Sequence, residues 1–72
     1  LLEQGQTEEA MVHLQEALRL DPEYVQAHYQ LGRAYARSGR RDAAVAHLKQ
    51  ALRLKPDFEP ARRELLQLGV RP

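Results

Sequence analysis

The 72-residue chain has no cysteine and no tryptophan, and only four of its residues are tyrosine or phenylalanine. The lack of cysteine excludes a disulfide framework and any thiolate metal site, so redox compartment is left open, with the cytoplasm slightly favoured. No apolar run approaches the roughly 20 residues of a membrane-spanning helix, and membrane insertion is therefore not expected. No targeting segment is recognisable. Because the first residue is Leu1 rather than methionine, we expect the chain to be part of a longer protein.

The stretch from Val25 to Phe58 contains two amphipathic helical patterns joined at Ser38-Gly39. Alanine, leucine and tyrosine recur at the three- and four-residue spacing of one helix face. In the first pattern these residues are Ala27, Leu31, Ala34 and Tyr35, and in the second they are Ala44, Leu48, Ala51, Leu52 and Leu54. Gly32 has no side chain, so two antiparallel helices can approach closely beside it. Pro56 ends the second helix, since the residue before a proline disfavours the α conformation.

This helical unit occurs more than once. Residues 1–24 match residues 35–58, a shift of 34, at nine of 24 positions. Most of the matching positions are the small, apolar and turn residues that packing would fix, and the matches are Gly5, Ala10, His13, Leu14, Ala17, Leu18, Arg19, Leu20 and Pro22. A repeat of this period predicts an array of helix pairs rather than a compact domain with a single core.

The central unit follows the pattern W-x2-L-G-x2-Y…A-x3-F…P. The residues at these positions are His28, Leu31, Gly32, Tyr35, Ala44, Leu48 and Pro56. Only two depart from the pattern, His28 in place of tryptophan and Leu48 in place of phenylalanine. Over nearly its whole length the chain thus resembles the tetratricopeptide repeat (TPR) family. The resemblance implies an all-α fold in which helix-turn-helix repeats stack as a right-handed superhelix, with about two repeats and a terminal capping helix.

We expect one TPR-like domain over residues 1–72. Its parts are a partial repeat (1–24), a full repeat (25–58) and a C-terminal capping helix (59–72), with helices near 7–20, 23–37, 41–54 and 58–68. Leu66 occupies the position in its repeat that Gly32 occupies one repeat earlier. A leucine would hold a partner helix away, so the last helix is expected to have none.

The first two helix boundaries are predicted from their capping residues. Leu1 and Leu2 are interpreted as the last turn of a preceding helix that ends at Gly5, and Thr7 as the residue that caps the next one. At the second boundary, Asp21 is expected to cap a helix that holds Pro22 in its first turn.

The sequence contains no pattern typical of an enzyme, such as a nucleophile elbow, a phosphate loop or a dinucleotide-binding glycine motif. We therefore expect neither catalysis nor a cofactor. Three histidines are weak metal candidates. His13 and His47 are repeat equivalents about one helix diameter apart, and His28 takes a position where the family packs an aromatic residue. Because no cysteine, HxxxH spacing or carboxylate cluster joins them, we expect core or surface histidines and no metal site.

The net charge of +1 conceals a separation of charge along the chain. Residues 1–24 carry six acidic and one basic side chain, and residues 25–56 carry seven basic and one acidic. Solvated faces that attract each other are the simplest interpretation. A homodimer through the N-terminal end is a further expectation, because the stripe of Met11, Leu14 and Leu18 lacks part of its cover if no helix precedes it.

The exposed side of the helix predicted at 23–37 is the candidate binding surface. In the TPR family, the first helix of each pair lines a concave groove that takes an extended peptide or a helix. Here the corresponding residues, with two from the last helix, are Gln26, Tyr29, Gln30, Arg33, Ala36, Arg37, Arg63 and Gln67. Aromatic and arginine side chains suit acidic or carboxylate-bearing segments. We therefore expect a non-catalytic module or scaffold that binds a protein or peptide.

The chain could instead be an accessory repeat domain that positions a neighbouring enzyme or a membrane-anchored region. Nucleic-acid binding is less favoured: an arginine cluster near Tyr29 and Tyr35 permits it, but the acidic surface of residues 1–24 would repel phosphate. The carboxylate clamp by which some family members hold chaperone tails is not supported, because its positions fall on Gln30, Pro60 and Glu64.

Overall fold

The computed structural model describes the backbone of residues 2–71 and the side chains of residues 7–71. Within these residues the fold consists of helices and turns, without a strand. The helices are α1 (Leu2–Leu20), α2 (Val25–Arg37), α3 (Arg41–Leu54) and α4 (Glu59–Gln67). Consecutive helices pack on each other, and α2 also contacts α4. The predicted all-α, helix-turn-helix architecture is confirmed, while the right-handed superhelix and the domain boundaries stay predictions.

Helices α2 and α3 approach each other closely at Gly32. A Cβ atom placed on Gly32 would lie 2.6 Å from Cγ of Leu48 and 3.2 Å from the carbonyl oxygen of Ala44. Both α3 residues are fully buried, as is Leu31 on α2. Interiors are packed too tightly for such a contact to be relieved without a shift of α3. Glycine is therefore needed here for its lack of a side chain.

The buried apolar side chains form two clusters, and α2 contributes to both. One cluster joins α1 to α2 through Met11, Leu31 and Ala34, with Leu14, Leu18 and Tyr35 packed against them. The other is built on Leu48, Ala51, Ala61 and Leu65 of α3 and α4, with Val25 and Tyr29 of α2 packed against it. Since one cluster lies between α1 and α2 and the other joins α2, α3 and α4, the core is distributed along the array, as expected of a repeat protein.

Helices α2 and α4 end in the same way. The glycine after each end, Gly39 or Gly69, has a φ of 81°, in the left-handed region. The amide of the next residue donates to the carbonyl oxygen five residues earlier, at 2.9 Å from Arg40 to Tyr35 and at 2.9 Å from Val70 to Leu65. This is the Schellman motif, in which glycine avoids the steric cost of positive φ. With 9 residues against 13, α4 is about one turn shorter than α2.

The first predicted helix boundary is wrong. Gly5 and Thr7 both lie inside α1, so no helix ends at Gly5 and Thr7 does not begin one. Glycine costs only about 1 kcal/mol relative to alanine within a helix. Its glutamine and glutamate neighbours are good helix formers, and no proline interrupts them. The matching residue Gly39 ends a helix because its backbone adopts positive φ. Two glycines at equivalent repeat positions can differ in backbone conformation, and the sequence match does not reveal the difference.

Helix α2 begins at Val25, two residues later than predicted. Residues 21–24 form a turn in which the amide of Tyr24 donates to the carbonyl oxygen of Asp21 at 3.1 Å. The Asp21 carboxylate accepts the Glu23 amide at 3.2 Å and so closes this turn rather than capping the helix. Pro22 accordingly precedes α2 instead of lying in its first turn. Helix α4 spans Glu59–Gln67, one residue shorter at each end than predicted.

The apolar stripe on which the homodimer expectation rested is largely covered by α2. Met11 is buried, and Leu14 and Leu18 are half-buried against the same cluster. Among the side chains of α1 that the structure describes, from residue 7 onwards, the large apolar ones that remain exposed are Val12 and Leu20. A homodimer through this end stays a prediction that now depends on those two residues.

The contact at Gly32 gives the first testable prediction. We expect Gly32→Leu to lower the free energy of unfolding by about 3 kcal/mol, because the side chain overlaps Leu48 and the Ala44 carbonyl. Urea denaturation followed by circular dichroism measures this. Ala46→Leu is the matched control: it adds the same side chain at an exposed position of α3, where a change within about 0.5 kcal/mol is expected. Equal stability of Gly32→Leu and wild type would contradict the close approach of the two helices.

Candidate partner-binding groove

The residues predicted to line the groove lie on α2 and α4, which contact each other. Tyr29, Arg33 and Arg37 follow one another at four-residue intervals on α2 and therefore form one row along the helix. Arg63 and Gln67 are exposed on α4, Gln26 and Gln30 are exposed beside the row, and Ala36 is half-buried. We call this surface the α2–α4 face.

At the centre of the α2–α4 face, four side chains from both helices and the turn between α3 and α4 are in contact. The guanidinium of Arg33 lies 5.7 Å above the centre of the Tyr29 ring. Tyr29 in turn meets Phe58 edge to face, with ring centres 5.4 Å apart. Nε of Arg33 is 3.8 Å from Oε2 of Glu64. Tyr29 and Arg33 are thus already partnered within the chain, and Tyr29 belongs in part to the core.

The ion pair between Arg33 and Glu64 is weak. The two side chains keep 42% and 23% of their surface exposed. A separation of 3.8 Å is too long for a hydrogen bond. Exposed pairs of this kind contribute about 0–1 kcal/mol. Another carboxylate could therefore replace Glu64 beside Arg33 at little cost.

Glu64 also lies on the α2–α4 face, beside Arg33, although the sequence analysis named it only as a position of the unsupported carboxylate clamp and did not include it among the groove residues. The repeat could have indicated it, because Glu64 lies 34 residues after Gln30, which was assigned to the groove. Its effect is to place one negative charge among the arginines of the α2–α4 face.

Arg37 and Arg63 differ from Arg33 in having no internal partner. Both are exposed, and among the side chains of residues 7–71 neither makes a hydrogen bond or an ion pair. Gln67 is equally free on α4. These groups retain their full capacity to bind a ligand, and guanidinium groups bind carboxylates through paired, charge-assisted hydrogen bonds.

Three of the four arginines considered for nucleic acid already have partners within the chain. The Arg40 guanidinium lies 6.0 Å from the centre of the Tyr35 ring. Nη2 of Arg41 donates to the carbonyl oxygen of Leu68 at 2.8 Å, at the end of α4. Arg33 is paired with Glu64, which leaves Arg37 as the free member of the cluster. These internal contacts weaken the case for phosphate binding.

Two histidines are in direct contact, but they are His28 and His47 rather than the pair His13 and His47 considered from the sequence. Their Nδ1 atoms are 3.2 Å apart, and Nε2 of His28 is 2.9 Å from the carbonyl oxygen of Pro22. His28 is buried, as expected for its position. The register of the two antiparallel helices could have indicated this contact. If Gly32 lies opposite Ala44, then residue 28, one turn earlier on α2, lies opposite residues 47 and 48 on α3.

The surroundings of this pair affect its protonation. Burial, and then the charge of a protonated His28, lower the pKa of His47 below its ordinary value near 6.5.

In the part of the chain whose side chains are described, no group of three histidine, cysteine or acidic residues is placed to hold a metal ion.

Within residues 2–71, no helix combines the length and the hydrophobicity needed to cross a bilayer.

Comparison with known proteins agrees with the geometry. A family model of the tetratricopeptide repeat matches residues 1–68, a range that includes all four helices. A search among curated proteins finds no match. Repeats of this kind generally mediate protein–protein interaction and are typically non-catalytic. The family match, the 34-residue period and the close helix contact at Gly32 together show that the chain belongs to the tetratricopeptide repeat family.

Proposed function

We propose that this chain is a non-catalytic interaction module that holds a carboxylate-bearing segment of a partner protein against the α2–α4 face. The observation that carries the proposal is the pair of unpartnered arginines, Arg37 and Arg63, on two helices in contact. A free cation on each helix allows one bound segment to be held from both sides. Exposed Gln26, Gln30 and Gln67 add donors and acceptors suited to the backbone of an extended peptide.

The central cluster supports the same choice of partner. Tyr29 is fixed by Phe58, so its remaining surface is a rigid apolar contact that costs little entropy on binding. Arg33 is held above that ring, and its carboxylate partner is only weakly bound. A carboxylate from the partner protein can take the place of Glu64 without a new cation having to be oriented. Acidic segments therefore gain more from this face than neutral or basic ones.

Charge reversal on α2 tests the proposal. We expect Arg33→Glu with Arg37→Glu to weaken binding of a fluorescein-labelled ten-residue glutamate-rich peptide by more than about tenfold, because two attractive charges become repulsive. Fluorescence anisotropy measures the affinity, and circular dichroism checks that helicity is retained. Arg37→Glu with Arg63→Glu is a second variant that leaves the Arg33–Glu64 pair intact, and it should lose binding similarly.

The matched control is Lys49→Glu with Arg53→Glu. These exposed residues of α3 have the same four-residue spacing and give the same change in net charge, but they lie off the α2–α4 face. Affinity close to wild type is expected. Equal losses in the control and in the α2 variant would mean that only net charge matters, and would contradict the groove. Tighter binding of a labelled single-stranded oligonucleotide than of the acidic peptide would favour nucleic acid instead.

Removal of the internal carboxylate should have the opposite effect. We expect Glu64→Gln to strengthen binding of the same glutamate-rich peptide by up to about fivefold, because Arg33 no longer has to exchange a partner. Glu59→Gln is the control, since it removes the same charge from α4 at a residue paired with Arg62. A decrease in affinity on Glu64→Gln, or an equal increase in both variants, would show that Glu64 does not compete for the site.

A further inference from the structure

The contact between His28 and His47 has a definite hydrogen-bonding pattern. A backbone carbonyl oxygen can only accept, so Nε2 of His28 carries a proton and donates it to Pro22. In a neutral His28, the remaining ring nitrogen, Nδ1, is then an acceptor. Nδ1 of His47 must therefore be the donor across the 3.2 Å contact. The two neutral rings have opposite tautomers, Nε2–H in His28 and Nδ1–H in His47.

This pattern accommodates one additional proton. His47 can be protonated at Nε2 while its Nδ1–H still donates to His28. Protonation of His28 at Nδ1 as well would bring two N–H groups and two positive charges together at 3.2 Å. No carboxylate among the described side chains lies within ion-pair distance of either ring to offset that charge. The doubly protonated pair is therefore incompatible with the observed contact.

The pair connects several elements of the fold. His28 on α2 bonds the turn before that helix, and it bonds His47 on α3. The ring of His47 stacks on Tyr35, with centres 5.5 Å apart and 15° between the planes. The Tyr35 hydroxyl accepts from Nε2 of Gln15 on α1 at 2.9 Å. A continuous set of three hydrogen bonds and one ring stack thus joins α1, the turn before α2, α2 and α3.

We propose that the His28–His47 pair is an acid-sensitive clasp, which holds α1, α2 and α3 together at neutral pH and opens when both rings are protonated. The proposal is independent of the groove. It rests on the 3.2 Å contact between the two Nδ1 atoms, on the carbonyl that fixes the tautomer, and on the burial of His28. A solvated histidine pair on the surface would not couple protonation to the packing of helices.

The charged and titratable groups around the clasp are few. Gln15 of α1 is neutral, and α2 contributes Tyr35. The segment between α2 and α3 contributes Arg40, which lies over Tyr35 and adds positive charge to this side. The turn before α2 carries the carboxylates of Asp21 and Glu23 on either side of Pro22. Neither carboxylate forms an ion pair with His28 or His47.

The pH range of the effect follows from linkage. Burial and the charge of a protonated His28 lower the pKa of His47 on folding, so the folded chain takes up the second proton of the pair less readily than the unfolded chain once the pH falls to about 6.5. The stabilisation is complete above this pH and is lost as the pH falls through the lowered pKa. Carboxylates titrate at lower pH, and the hydrogen bond from Arg19 lowers the pKa of Glu16 further from this range.

Urea denaturation at about pH 7.5 and about pH 5 tests the clasp. For the wild type, we expect the unfolding equilibrium constant to rise severalfold on acidification. His47→Asn keeps an N–H donor near the position of Nδ1 but does not titrate, so most of that rise should disappear. His13→Asn removes the exposed repeat equivalent of His47 and should leave the rise unchanged. A rise of the same size in His47→Asn, or none in the wild type, would overturn the proposal.

A second measurement on the wild-type chain does not depend on how the variants fold. Nitrogen-15 chemical shifts of the imidazoles distinguish the two neutral tautomers. At neutral pH we expect the Nε2–H form in His28 and the Nδ1–H form in His47. The same tautomer in both rings would mean that no proton is shared across the contact, and would overturn the clasp.

Discussion

The structure depends on the contact between Gly32 of α2 and the Leu48 and Ala44 positions of α3. There is no space for a methyl group between the two helices at this point. The close approach brings the buried faces of α2 and α3 together along what we call the α2–α3 seam. It also sets the register of one helix against the other. That register places His28 opposite His47, while the row of Tyr29, Arg33 and Arg37 lies on the side of α2 that contacts α4. Because α2 belongs to both apolar clusters, a displacement at Gly32 would affect packing towards α1 as well as towards α4.

Helix α2 therefore serves two surfaces of different character. Towards α3 and the turn before α2, the hydrogen bonds of His28 are part-buried, and every described side-chain donor and acceptor that is fully buried has a partner. Towards α4, the contacts are a half-exposed ion pair and a cation over a ring, each worth little on its own. The first surface favours a fixed arrangement of helices. The second can exchange its internal contacts for those of a partner protein, which is the physical basis of the proposed groove.

Much of the fold was predictable because the residues that recur in the repeat are mainly those that pack between helices. Alanine, leucine and glycine at matched positions indicated the helices, the seam and the family. The errors fell where backbone conformation or side-chain contact decided the outcome: Gly5 remained helical although Gly39 did not, and Asp21 closed a turn instead of capping a helix. The groove row was identified from helical spacing, but the Glu64 partner of Arg33 was missed because it comes from another helix. The contact between His28 and His47 was missed because the histidines were paired by their equivalent positions in the repeat. The alignment of α2 against α3 was not considered.

Hydrogen–deuterium exchange of the backbone amides is the most direct test of the claim that the α2–α3 seam supports the rest of the molecule. The account predicts the slowest exchange in the middle of α2 and α3, around Leu31 and Leu48, with faster exchange in α4 and towards the start of α1. Comparable exchange rates in all four helices, or the slowest exchange in α1, would show that the seam at Gly32 is not the most stable part of the fold and would contradict the account.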